Sequence, residues 1–359
     1  MELLEYFYNR DNSIVNYYQR KFSITKAEKT LIYGSPASGK SFLVFDYLMH
    51  FESEDILYID FKDPKFQFRD IMEEDIEGFV ESNGIDILVL DHYKHEYFEK
   101  LPIVRELIIL SNYFYDYGDG FNYLEVPLLD YEEFFAFQKH NSEKQIFNLF
   151  LKQGTLPQLA TQSIPKEQLF QIFIKSHFNN SEQKLLNILA HFNGSIVTTF
   201  QLYSYAKERY KISKDLIYRQ IKDLIARGVI LFIQDAINPS SKKLLFFDFA
   251  LAKYLTLTQK FPKQFDSMVA LSLVKHRISF KSFGVRGYIT DKNILITPAP
   301  FESEDSFWKK AHSKFSIYKK SGVKRVNIVT VATNYEFSIE DIIFEAMPFY
   351  EWVVINDGF

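Results

Sequence analysis

The sequence predicts an α/β protein whose first part is a parallel sheet. Short apolar runs of strand character at 30–33, 56–61, 85–90 and 107–110 are separated by stretches of helical spacing. Two of the runs, IDILVL and LIIL, are almost wholly apolar, as strands covered on both faces of a parallel sheet are. The first run passes directly into Gly34, Ser35, Pro36, Ala37, Ser38, Gly39, Lys40 and Ser41, after which Phe42, Phe45, Leu48 and Met49 recur at helical spacing.

That third observation carries chemistry. Glycine, four residues, then glycine, lysine and serine, set between a strand and a helix, is the phosphate-binding loop. Gly34 and Gly39 let the backbone approach an anion without a Cβ in the way. Amide groups of the loop and of the helix N-terminus point at that anion. Lys40 is expected to reach the β- and γ-phosphates of ATP, and the Ser41 hydroxyl to bind Mg²⁺. Asp91, at the end of the third apolar run, is the expected metal partner of Ser41.

The remaining elements follow in order. Residues 1–23 read as helix and loop, with Tyr6, Tyr8, Tyr17 and Tyr18 as surface rings or a base-stacking platform. Asp63 and Pro64 mark a turn before an acidic helix at about 70–80. A last short strand at 123–129 closes a nucleotide-binding domain over 1–129. Helical character begins at Asp130, Glu132 and Glu133, where acids suit a helix N-terminus. It continues through 145–153, Gly154-Thr155-Leu156-Pro157 and a helix at 165–178, giving a helical lid over 130–180. Residues 181–258 predict a winged helix: a helix capped by Ser181, a second at 199–209, a third at 214–227 capped by Ser213 and closed by Gly228, then strands at 229–234 and 243–249. Arg219 and Lys222 on the third helix, beside Lys214 and Arg227, and Lys242 and Lys243 in the wing, are the residues expected to meet a DNA backbone. Asp215 and Asp223 dilute that stripe, and a protein-docking winged helix is the other reading. The last segment, 265–359, predicts a small α/β domain: helix 265–277, strands 279–283, 285–290 and 294–297, helix 306–321, strand 325–332, helix 339–346 and strand 351–355.

Taken as a series, GSPASGKS, YIDFKDP, ILVLD, LIILSN, VPLLDYEEF and GTLP resemble the AAA-type P-loop ATPases of prokaryotes that join an ATPase module to a winged helix and a C-terminal nuclease-like domain. The resemblance covers most of the chain. It implies that Ser111 or Asn112 senses the γ-phosphate and that Gly154 and Pro157 belong to a lid motif near the nucleotide. It also implies a restriction-endonuclease-like C-terminal fold, and here the sequence departs from the pattern. Ser272, Tyr288, Thr290 and Thr297 stand where metal-binding carboxylates and a lysine belong, and Asp291 lies in a turn, so nuclease activity is expected to be lost. A second departure is His92, which follows Asp91 where active members carry a glutamate that polarises the attacking water. Hydrolysis is therefore expected to be slow or absent. Glu96 is a substitute base, and Arg105 a finger acting in trans if the protein forms a homo-oligomer.

Composition sets the outer limits. The chain has 359 residues, 47% hydrophobic and 25% charged, with aromatics raised to 17%. It has no Cys, which excludes disulfides, thiolate metal sites and cysteine nucleophiles. No signal pattern opens the sequence and no apolar run approaches membrane-spanning length, so a cytoplasmic location is the expectation. The net charge of -4 is uneven: residues 1–150 carry 14 Lys and Arg against 28 Asp and Glu, whereas residues 151–250 carry 13 against 7. The basic remainder points either to an anionic partner or to attraction between the two parts of the chain.

Overall fold

A computed structural model describes residues 2–10, 17–68, 71–138, 141–161, 165–210 and 212–355. Asp70, at the expected start of the acidic helix, lies outside these residues. The chain divides into two compact units, Met1–Leu128 with Ala226–Gly228, and Leu129–Ile225 with Val229–Phe359.

The first unit is built on one parallel sheet. Its elements are α1 (Glu2–Tyr8), β1 (Lys29–Tyr33), α2 (Lys40–Leu48), β2 (Ile56–Asp60), α3 (Glu73–Asn83), β3 (Ile87–Asp91), β4 (Glu106–Ser111) and β5 (Asn122–Glu125). The sheet order is β2-β3-β4-β1-β5, with every pairing parallel. The alternation of side chains across each strand fills two layers. Leu31, Leu57, Ile59, Leu88, Leu90, Leu107 and Ile109 pack with Leu4 and Phe7 of α1 and Ile76 and Phe79 of α3. Ile32, Tyr58, Val89, Ile108 and Leu110 pack with Leu43, Val44 and Leu48 of α2. Both faces are covered, which explains why β3 and β4 read as unbroken apolar runs. The fifth strand is shorter than the 123–129 run suggested. It lies at the sheet edge, where only β1 pairs with it.

The second unit begins with α4 (Tyr131–Ala136), α5 (Glu143–Gln153), α6 (Pro157–Thr161) and α7 (Lys166–His177). Asp130 caps α4, its Oδ1 accepting from the Glu133 amide at 2.7 Å. Next come α8 (Asn180–Phe192), β6 (Ile196–Val197), α9 (Thr199–Arg209), α10 (Lys214–Ala226), β7 (Ile230–Gln234), β8 (Lys242–Phe246) and α11 (Leu251–Leu255). The three strands form one sheet in the order β6-β8-β7. Asn179, not Ser181, caps α8, because its side chain reaches the amides of both Ser181 and Glu182.

The unit ends in α12 (Phe261–Lys275), β9 (Phe280–Ser282), β10 (Tyr288–Thr290), β11 (Ile294–Pro298), α13 (Glu304–Lys320), β12 (Arg325–Thr330), β13 (Tyr335–Ile339), β14 (Ile342–Pro348) and α14 (Phe349–Ile355). These strands form a six-stranded sheet ordered β13-β14-β12-β11-β10-β9. Two sequence expectations are reversed here. Residues 339–346 are not helical but contribute the end of β13, the turn and most of β14 in the β13–β14 hairpin. Apolar residues at 339, 342, 343 and 346 fit helical spacing, yet Ile342, Phe344 and Ala346 enter the core at strand spacing, with Ile339 opposite Ile342 on the facing strand. Residues 351–355 are not a strand but the end of α14, which buries Phe349, Trp352 and Val353 at helical spacing despite its β-branched run. A smaller difference is that residues 284–286 form a 3₁₀ turn ahead of β10.

Buried acids tie loops to this scaffold. Asp248 accepts hydrogen bonds from the amides of Thr155, Ala250 and Leu251 and from the Thr155 hydroxyl. Burial raises its pKa, and these donors oppose the rise. Asp248→Ala leaves the buried N–H groups of Thr155 and Ala250 without an acceptor, while the Leu251 amide keeps the Asp248 carbonyl at 3.3 Å. The substitution is expected to cost about 3 kcal/mol or more of unfolding free energy in a denaturant melt.

Candidate functional site

Four strands of the first unit end at one edge, and the chemistry collects there. Because β4 lies between β1 and β3, the residue after β4 falls between the phosphate-binding loop and Asp91. Residues 34–39 form that loop between β1 and α2. At Gly34, φ is +148° and a Cβ would stand 2.3 Å from the Val126 carbonyl oxygen, so no other residue fits without displacing the backbone. Arg20 braces the loop from outside. Its guanidinium is buried and donates to the Ser38 carbonyl at 2.6 Å and the Pro127 carbonyl at 2.8 Å.

Lys40 is buried at the start of α2. Its ammonium donates to the carbonyls of Gly34 and Ser35, each at 2.9 Å, to Asn112 Oδ1 at 3.0 Å, and to Ser38 Oγ at 3.5 Å. All four acceptors are neutral. Burial therefore dominates, and with a smaller contribution from Lys62 it lowers the Lys40 pKa to about 7 against the opposing pull of Asp91. A buried cation ringed only by dipoles suits an incoming anion. Of the two sensor residues expected, Asn112 is the one that meets Lys40. Ser111 is buried and its hydroxyl donates to the Tyr93 carbonyl at 2.9 Å.

Asp91 is also buried, and both its oxygens are engaged. Oδ2 accepts from Ser41 Oγ at 2.7 Å and from the Tyr58 hydroxyl at 2.5 Å. Oδ1 accepts from the His92 amide at 2.7 Å. Burial and then the Asp91 charge push the Tyr58 pKa well up, so it stays a hydrogen-bond donor. The backbone turns sharply at His92, with φ of +57°. That turn brings its Nδ1 within 2.7 Å of Asp60 Oδ1. Asp60 is paired in register with Asp91 across β2 and β3. Burial raises the Asp60 pKa, but the hydrogen bond and charge of His92, the Lys62 amide and Arg10 outweigh it and hold the carboxyl below its usual range.

Sequence reading missed three of these residues. For Asp60 the signal is partial: ILYID and ILVLD both end in Asp, but only the parallel register of β2 and β3 sets the two acids side by side. Tyr58 and Arg20 sit in segments whose pattern gives no sign of their contacts. Other expectations fare differently. Glu96 is exposed on a 3₁₀ turn and pairs with Lys94 at 3.8 Å. Arg105 is exposed and donates to Asp86 Oδ2 at 2.7 Å. In the second unit Pro157 opens α6, and its carbonyl accepts from the Thr161 hydroxyl. The preceding Gly154 has φ of +78°, and a Cβ there would strike the Asp248 carboxylate.

The expected backbone contacts need correction. Lys243 is buried, pairs with Asp266 at 2.8 Å and lies over the Tyr288 ring at 4.4 Å. Tyr288 completes the group by donating to Asp266 Oδ2 at 2.8 Å. A lysine committed this way cannot meet a phosphate. Arg227 is buried as well. Arg219, Lys222 and Lys242 are exposed.

The sheet, the loop and the Ser41–Asp91 pair define a P-loop fold. No protein-family model matches the chain, and no curated protein matches it. Solved structures are similar in part. A Walker-type ATPase of Pyrococcus abyssi shares 14% identity, with 64% of this chain and 91% of that one covered and a TM-score of 0.43. A STAND signal-transduction ATPase of Pyrococcus horikoshii, with a tetratricopeptide repeat sensor, shares 15% identity over 69% of this chain and 43% of that one, with a TM-score of 0.27. The Aeropyrum pernix ORC1 protein, solved in complex with DNA, shares 11% identity over 64% and 87%, with a TM-score of 0.29. Among the described residues no helix is long and apolar enough to cross a membrane.

The depressed Lys40 pKa has a stability consequence. Below about pH 7 the folded protein carries a buried charge that the unfolded chain, with an ordinary lysine value of 10.5, carries in water. At 1.36 kcal/mol per unit, this penalty is about 5 kcal/mol, and it fades as pH rises from 7 toward 10.5. Lys40→Met should therefore raise the melting temperature of the ligand-free protein at pH 6, and the gain should shrink at pH 9.

Proposed function

We propose that this chain is an ATP-binding AAA-type protein that hydrolyses ATP slowly and whose nucleotide state positions a nucleic-acid-binding C-terminal part. The observation that carries the nucleotide reading is the buried Lys40, held among neutral oxygens beside a hydrogen-bonded Ser41–Asp91 pair. The residues fit the group. Loop amides and Lys40 take the phosphates, Asn112 lies beside Lys40 to sense the terminal one, and Ser41 and Asp91 hold Mg²⁺. When bound, Mg²⁺ offsets the charge that develops on the phosphate oxygens.

Slow turnover follows from His92. In the neutral ring, donation from Nδ1 to Asp60 leaves Nε2 as the proton acceptor. Asp60 thus fixes both the tautomer and the ring direction. An imidazole accepts at one nitrogen only, so it orients water less tolerantly than the carboxylate it replaces. The nucleic-acid reading rests on the exposed Arg219 and Lys222 of α10 and on Lys242. Residues 180–246 supply the three helices and ribbon of a winged helix, with α10 as its third helix. We read the six-stranded sheet as a nuclease-type fold without the cutting chemistry, because Ser272, Tyr288, Thr290 and Thr297 replace its metal-binding groups.

Calorimetry with Mg-ATP tests the first step. Lys40→Ala is expected to weaken binding by about 2–3 kcal/mol through removal of a charge-assisted hydrogen bond, and an unchanged affinity would remove the assignment. A turnover assay with and without duplex DNA tests the second. His92→Ala and Asp60→Asn should each lower the wild-type rate at least tenfold while leaving the dissociation constant within about threefold. Wild-type turnover at background, with tight binding retained, would mean that ATP is a structural ligand of a docking protein.

A further inference from the structure

Two apolar side chains of the second unit stand out from adjacent turns with no cover. Val285 is 96% exposed and Ile237 55% exposed. They are neighbours: a methyl of Ile237 lies 3.3 Å from where a Cβ on Gly284 would stand. One buried carboxylate holds both turns. Asp235 Oδ1 accepts from the amides of Ile237 and Asn238 at 3.1 and 2.8 Å. Its Oδ2 accepts from Ser282 Oγ and the Gly284 amide at 2.7 and 3.0 Å. The Ala236 amide donates to the Ser282 carbonyl at 2.8 Å, so the end of β7 runs parallel to β9 and both turns leave at the same end. Two neighbouring apolar side chains held this firmly are presented to a partner with little ordering left to do on binding.

The charge around them indicates which partner. Gln234 faces Lys242 across β7 and β8, and the Asp235–Ser282 bridge sets Lys281 on its other side. Lys242 and Lys281 are exposed and lie two strands apart, roughly 10 Å. Within residues 234–242 and 280–287 the other charged side chains are Arg286 and the buried Asp235. A minor groove about 6 Å wide, with a phosphate chain on each side, matches a narrow apolar tip between two cations. A membrane would need a larger apolar face than two β-branched side chains.

We propose that Ile237 and Val285 form a rigid wedge that enters the minor groove of duplex DNA and opens a base step, while Lys242 and Lys281 hold the flanking phosphates. Apolar wedges of this kind unstack a step and bend the duplex. The inference rests on the proposed nucleic-acid role of this part of the chain.

The full chain is titrated into a labelled duplex of about 30 base pairs over a salt series, with end-to-end energy transfer reporting the bend. Ile237→Ser with Val285→Ser should abolish the bend and weaken binding about tenfold, with the salt slope unchanged. Lys242→Ala with Lys281→Ala should lower that slope by about 2, near 0.9 for each phosphate no longer neutralised. All four positions are exposed, and thermal melts confirm that each variant folds. If the serine variant bends and binds DNA as wild type does, the wedge is wrong while the DNA-binding role stands. If wild type shows no salt-dependent duplex binding, or binds anionic vesicles instead, both are overturned.

Discussion

The carboxylate of Asp91 is the point on which the first unit's chemistry depends. It is buried, and a buried charge survives only when hydrogen bonds replace its lost water. Three donors do so, from three different segments: Ser41 at the head of α2, Tyr58 within β2, and the His92 amide just beyond β3. The same bonds that stabilise the charge therefore fix the relative placement of β2, β3 and the phosphate-binding loop. Strand order does the rest, since β4 between β1 and β3 delivers Asn112 to the Lys40 ammonium.

Around this carboxylate the site keeps its two kinds of charge apart. Asp60 and Asp91 lie side by side on neighbouring strands, and His92 bridges them, 2.7 Å from one and 3.4 Å from the other. Lys40 has no such partner and relies on carbonyl dipoles, which solvate it less well than water does. Ligand-free stability is given up at Lys40 so that a cation is already in place for an anion. The left-handed backbone at His92 is a further strain, held by the bridge between the two acids.

Much of the first unit was legible because its signals are local. A glycine loop between a strand and a helix has few alternatives, and continuous apolar runs mark buried parallel strands. Asp60 required register, which a single sequence does not supply. Arg20 was invisible because the bonds that brace the loop go to carbonyls, and every residue has one. The C-terminal sheet was harder. Residues 339–346 satisfy helical and strand spacing at once, and only the packing of Phe344 against Phe337, with ring centroids 4.9 Å apart, settles the question. The reverse held for α14, whose Trp-Val-Val-Ile run favours a strand until Phe349 and Trp352 are buried on one helical face. Lys243 shows a third limit: composition places a lysine near a turn but says nothing of an aspartate on a helix more than twenty residues later.

The group formed by Lys243, Asp266 and Tyr288 joins β8 of the three-stranded sheet to α12 and to β10 of the six-stranded one, and Asp235 makes a second join between β7 and β9. Hinges require seams that water can enter and part cheaply. This seam is closed by one ion pair and by hydrogen bonds to two carboxylates, all of which must break for it to open. The two sheets of the second unit must then turn together, as one lever arm instead of beads on a string. A displacement imposed on β8 is felt at β10 and β11 without being absorbed on the way.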